Sequence, residues 1–271
     1  MKRMFFILTA MVSFTLAKAQ TKEGTIYYDQ KTNMHRAIPD EQMKAMIPEF
    51  RTAKYILQFS YSISMYKAVP EDEAPDPFAG GGGRVMIRMN PGGSGDLYKN
   101  FTEAKSVQTS EVGGKNFLIT DSIRQTPWKL GTETKQILGY TCHKATRNVT
   151  QQTAPMRRVM MGGSDGPATT NPAPNAGAQV PKEVEVVAWY ADDIASPVGP
   201  EHYGQLPGAI LQLDFDNGAI VYTATEVKKS VNMKDLKEPT KGKAVTRQEF
   251  SKIMSDMMGN MQMGPGGVVR F

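Results

Sequence analysis

Five methionines crowd the end of the chain in "MSDMMGNMQM": Met254, Met257, Met258, Met261 and Met263. Thioethers are soft donors that suit Cu(I), and outside the cell they are not lost to disulfides. On a helix the first four fall at i, i+3, i+4 and i+7, so their sulfurs could converge on one side. Phe250 and Ile253 share that stripe, which is also what a helix docked on a sheet displays. Packing is therefore the first reading of the methionines and a metal site the second.

Other chemistry is sparse. His35, His143 and His202 have no metal-ligand spacing between them, and no C-x-x-C or H-E-x-x-H occurs. Cys142, the only cysteine, lies in "QILGYTCHKA" and reads as a buried small hydrophobe. Cys142 and His143 are neighbours on an expected strand, so they point to opposite faces and cannot act as a local pair. Gly162-Gly163-Ser164-Asp165-Gly166 matches the serine-hydrolase elbow, but "PATTNPAPN" follows where a helix is needed. Asp121-Ser122-Ile123 has the form of a bacterial O-glycosylation triplet, and a polar strand end explains it equally well. The sequence implies no enzyme and no cofactor.

The chain opens with "MKRMFFILTAMVSFTLAKAQ": a basic start, an apolar core and the A-x-A site Ala17-Lys18-Ala19. This is the pattern of a secretory signal cut after Ala19, giving a periplasmic or secreted protein; the apolar run is too short for a transmembrane span. Removing 1–19 takes away Lys2, Arg3 and Lys18, so the formal charge falls from +5 to +2. Such a balance gives no reason to expect a nucleic-acid partner.

The elements that must hold these residues are strands. In "KYILQFSYSISMYK", Tyr55, Leu57, Phe59, Tyr61, Ile63 and Met65 alternate with Gln58, Ser60, Ser62 and Ser64, which predicts one long strand with the serines outside. Further strands are expected at 24–30, 97–110, 116–123, 135–149, 182–191, 210–216 and 219–229, with hairpins at Val112–Lys115 and Asn217-Gly218. Helices are expected only near Asp40–Met46 and Thr246–Met261. Two Gly/Pro-rich stretches, near 68–96 and 154–181, read as loops inserted into a single domain spanning 20–271. In "GQLPGAILQLDF", Leu206-Pro207-Gly208 reads as a turn in which Gly208 supplies a positive φ. The expected fold is all-β: a strongly curved antiparallel sheet, an open half-barrel-like meander, with a short C-terminal helix.

"QILGYTCHKA", "VVAWYADDI" and "GPEHYGQLPGAIL" together resemble the ordered blocks of the GLPGLI family of exported bacterial proteins. The shared residues include Gly139, Tyr140, Cys142, Trp189, Tyr190, Gly199 and Pro200. Leu206, Pro207, Gly208 and Ile210 match the hexapeptide that names the family. Gln205 and Ala209 depart from it, and Gln205 implies that this position needs no positive φ. The resemblance implies no active site. It implies a non-catalytic periplasmic binding or accessory protein, working with a TonB-dependent outer-membrane receptor or taking an apolar ligand on the concave face. The alternative is a Cu(I)-handling protein using the methionine-rich segment.

Overall fold

The computed structural model describes residues 21–38, 40–70, 95–152 and 181–262. The signal segment, the Gly-Ser-Asp-Gly motif, most of both Gly/Pro-rich loops and Met263 lie outside them. One sheet carries all twelve described strands. β1 (Glu23–Asn33), β2 (Phe50–Ser60), β3 (Ile63–Ala68), β4 (Leu97–Asn100), β5 (Lys105–Val112) and β6 (Lys115–Ser122) follow in chain order across one half. β7 (Lys129–Ile137), β8 (Tyr140–Gln152), β9 (Pro181–Ala191), β10 (Ala209–Phe215) and β11 (Ile220–Lys228) cross the other. The halves meet where β1 pairs antiparallel with β11. β12 (Lys243–Thr246) extends the β6 edge in parallel, the one departure from antiparallel pairing. Two helices, α1 (Glu41–Met46) and α2 (Arg247–Gln262), complete the described elements of regular length.

The sheet is open, because β7 and β12 end it without pairing, and it is strongly curved. Ten inter-strand steps separate β6 from β7, which a flat sheet would spread over about 48 Å. The connection between them, 123–128, is six residues long and reaches at most about 25 Å. The two halves must therefore curl towards each other, and 123–128 crosses near the mouth of the resulting trough. The fold expected from sequence is the fold observed.

Register fixes which residues look into the trough. Ile26 faces Leu57, which faces Tyr66, which faces Leu97, and each is buried. In the other half Leu213, Ala188 and Ala145 form an equivalent row with no exposed surface. These residues belong to one apolar cluster.

The single strand expected over 55–65 is in fact a hairpin. Tyr61 takes φ 52° and donates its N–H to the Lys22 carbonyl at 2.9 Å, while Ser60 pairs with Ile63. That pairing inverts the parity: odd residues before the turn share a face with even residues after it. Tyr55, Leu57 and Phe59 are buried in the trough as expected, but Tyr61 is 71% exposed at the tip and Ile63 is half-buried. Met65 faces outward with Gln58 and packs on Tyr98 and Leu236. Ser60 and Ser64 are buried rather than solvated. The other expected long strands break in the same way, 97–110 at Phe101–Ala104 and 135–149 at Leu138-Gly139; neither β7 as a separate strand nor β12 was anticipated.

Candidate functional site

The segment 192–208, between β9 and β10, packs into the trough and buries Ile194, Val198 and Leu206. It carries its own hydrogen bonds: Gln205 N–H donates to the Pro197 carbonyl at 2.8 Å, and the amides of Ala209 and Ile210 donate to the carbonyls of Ile194 and Val198. Tyr28 Oη donates to the Ile210 carbonyl at 2.6 Å from the opposite half. Two sequence inferences about the hexapeptide need correcting. Gln205 has φ 64°, so its position does require the left-handed region that glycine enters freely. Gly208 does not have a positive φ; a Cβ there would lie 2.0 Å from the Ala191 carbonyl oxygen, so close backbone approach explains the glycine.

The remaining signature residues are architectural. Gly139 closes the β7–β8 hairpin with φ 80°, beside half-buried Tyr140. Trp189 lies under the Lys135 ammonium, 4.1 Å from its ring centre, and Tyr190 packs beside His143. Gly199 and Pro200 are buried in the loop, Leu206 and Ile210 in the apolar cluster, and Pro207 is exposed. Cys142 is fully buried, and burial pushes its thiol up to about 11, which makes it unreactive. On α2, Met254 and Met257 are half-buried, while Phe250 and Ile253 pack against Phe117, Ile119 and Val245. The side chains of Met258 and Met261 lie outside the described set.

The loop's own side chains occupy the apolar trough, and an open cleft lies beside it with polar walls. Its volume is about 220 Å³. One wall is a cross-strand row: Lys99 on β4, Ser106 on β5 and Asp121 on β6 pair in register. β6 also adds Ser122, and the crossing segment Arg124 and Thr126; the loop adds His202, Gly204 and Gln205; β8 and α2 add Arg147 and Arg247. Arg147 lies over two aromatic rings, 4.5 Å from the Trp128 centre and 4.4 Å from that of Tyr203. Trp128 Nε1 donates to the Gly204 carbonyl at 3.0 Å, which ties the crossing segment to the loop.

The electrostatics are unusual for so small a volume. Lys99 is 5% exposed, and its ammonium donates to the Tyr203 carbonyl at 3.2 Å. Burial draws its pKa down to about 7, against the opposing pull of Glu201. Glu201 accepts a hydrogen bond from the Tyr222 hydroxyl, which accepts one from Gln30 at 2.7 Å. Burial holds Glu201 above the usual carboxylate range although Tyr222 and Lys99 oppose it. His202 is held below the ordinary imidazole range by the protein around it and by Lys99 and Arg247, although the residue as a whole is exposed. Asp121 accepts from Arg247 Nε at 2.6 Å and from the Ser122 amide at 2.9 Å. Burial alone would raise the Asp121 carboxyl; these bonds hold it below the usual range.

Sequence reasoning missed Lys99, Ser106, Arg124, Arg147 and Arg247, since single cations and serines on separated strands form no motif. Among the described residues no three of His, Cys, Asp and Glu are grouped as a metal would need, and no helix is long and apolar enough to cross a membrane.

Residues 128–212 match a sequence family described as a protein of unknown function, Porph_ging. That stretch contains Trp128, Arg147 and the whole 192–208 loop, and leaves Lys99, Ser106, Asp121 and Arg247 outside. No curated protein matches the chain. Of solved structures, PNGF-II in its C2 crystal form is similar, with TM-score 0.51 and 15% identity over 88% of this chain. Its P21 form gives 0.49 at the same identity and coverage. LprF from Mycobacterium bovis gives 0.27 at 9% identity, with 82% of this chain and 91% of that one covered. This chain spans only 33% of PNGF-II, and the likeness to its C2 form is one of fold.

Proposed function

We propose that the chain is a non-catalytic binding protein of the bacterial envelope that takes its ligand in the cleft beside the 192–208 loop. Residues 1–19 would export it to the periplasm, where a TonB-dependent outer-membrane receptor is the partner its family resemblance suggests. The supporting observation is Lys99, a lysine buried on the wall of an open cleft with one backbone carbonyl as its hydrogen-bond partner. Burying a cation costs stability, and such groups concentrate where a ligand repays the cost. The test is to purify the tagged mature protein from its own envelope beside an Arg147→Met variant, and to identify released small molecules by mass spectrometry. A compound class held by the native protein and lost from the variant is expected. The same compounds on both, or none on either, would overturn the reading.

One observation favours a second reading. Ser106 stands opposite Lys99 in register, and a lysine near neutrality can act as the base for a serine nucleophile. The Ser106 hydroxyl, however, donates to the Asp121 carbonyl at 3.2 Å, which places binding first. Turnover of an envelope ester that Ser106→Ala abolishes would reverse that order.

A further inference from the structure

We infer that this cleft is the seat of a tetrahedral oxyanion, the phosphate or sulfate ester of a small ligand, held by Lys99, Arg124, Arg147 and Arg247. The inference rests on the binding reading above and names the chemistry of its ligand. Four cationic side chains line the cleft against one carboxylate, Asp121. Arg247 and the Ser122 amide already engage that carboxylate, so the positive excess has no answer within the cleft.

Arg147 carries the argument furthest. Its guanidinium lies over the Trp128 and Tyr203 rings, and its Nε is covered by the protein, so the terminal Nη groups are what it can present to the cleft. A guanidinium held over aromatic rings is pre-positioned and keeps its terminal N–H groups for an oxyanion. Lys99 is the second independent element, since an ammonium has three donors and one hydrogen bond accounts for only one of them. Ser106 and Thr126 offer hydroxyls beside these cations. The volume suits one small charged group better than a whole drug-sized ligand.

Binding should also take up a proton. Lys99 faces Glu201 and His202 of the loop, with Arg147 on β8, Asp121 on β6, Arg124 on the crossing segment and Arg247 on α2 around the same cleft. Burial brings it to about 7, so it is largely neutral in weakly alkaline solution until an anion favours its charged form.

Sulfate is the direct probe, because its own charge is constant across the range tested. Calorimetric titration of the mature chain should show one saturable site at about pH 6, weakened roughly ten- to thirtyfold at about pH 8.5. Lys99→Met should weaken binding at the lower pH roughly tenfold and remove the pH dependence, and Arg147→Met should weaken it by a similar factor. Arg124 is exposed, so Arg124→Gln leaves packing untouched and should still cost a few-fold. Glycerol phosphate and methyl sulfate then separate the two ester sources, and displacement of sulfate by either supports the inference. Failure of sulfate to saturate, acetate binding as tightly as sulfate, displacement by neither ester, or indifference to Arg124→Gln and Arg147→Met would each overturn it. An envelope ligand lacking an anionic group would overturn this inference and leave the binding reading standing. Sulfate binding with no envelope ligand recovered would do the reverse.

Discussion

The inner face of the sheet is two surfaces with different tasks. Across β8, β9 and β10 it is apolar: Ala145, Ala188, Leu211 and Leu213 expose nothing, and the 192–208 loop packs Ile194 and Val198 onto them. Across β3 to β6 the corresponding row is Ser64, Lys99, Ser106 and Asp121, all polar. Apolar area on one half anchors the loop; the loop's far wall then encloses polar groups that the other half contributes. A loop docked by one surface thus builds a cleft on the other.

That division can be broken from the apolar side first. Phe59 has no exposed area and sits at the border, its register partner being Ser64. Phe59→Ala should destabilise by about 3–5 kcal/mol in urea unfolding. A loss no larger than that of an exposed substitution would show that the apolar half does not carry the fold.

Lys99 tests the polar half with the opposite sign. Its pKa is about 7 in the folded protein and 10.5 in the reference state, so between those values the unfolded chain binds more protons. Stability should therefore rise with pH across that window, by on the order of 2 kcal/mol from about pH 7 to pH 9, with the full cost of the buried charge present below it. Lys99→Met should flatten the rise and be as stable as the native protein at neutral pH or more so. An unchanged pH profile in the variant would remove Lys99 as its source.

The bridge between the two halves is Tyr222, which accepts from Gln30 and donates to Glu201. Tyr222→Phe leaves the ring packing and strands the Glu201 carboxylate, so a loss of about 1–3 kcal/mol is expected from thermal unfolding. A neutral result would mean that water replaces the hydroxyl without cost.

How far this could be read from sequence depended on who makes the turns. Where Asn217-Gly218 and Gly113-Gly114 turn the chain, the hairpins were foreseen to within a residue or two. Where Tyr61, Ala104 and Leu138 take positive φ without glycine at the same position, the turns left no signal at Tyr61 and Ala104, and Leu138-Gly139 was read as mid-strand. Strand existence survived these errors, because alternation continues through a tight turn, but the assignment of faces after Tyr61 did not. The cleft was not legible at all: Lys99 and Arg147 come together only because seven strand steps curl into a trough.

Gln205 gives the smallest expected effect and the sharpest test of the loop. It is the one non-glycine residue of 199–208 besides Glu201 with a positive φ, and the resembled hexapeptide has glycine in its place. Left-handed backbone costs an L-residue roughly 1 kcal/mol, while glycine loses a comparable amount through greater freedom in the unfolded chain. Gln205→Gly should thus change stability by less than about 1 kcal/mol, leaning towards stabilisation, and should keep the N–H bond to Pro197. Gly208→Ala should behave oppositely, because its Cβ would collide with the Ala191 carbonyl and lift the loop off the apolar half. Because Gln205 also lines the cleft, sulfate affinity should change with Gln205→Gly only as far as its own side chain contributes, whereas Gly208→Ala should lower affinity and stability together. Equal effects of the two substitutions on stability would show that the hexapeptide acts as a uniform turn, and that loop docking and cleft geometry are not separable.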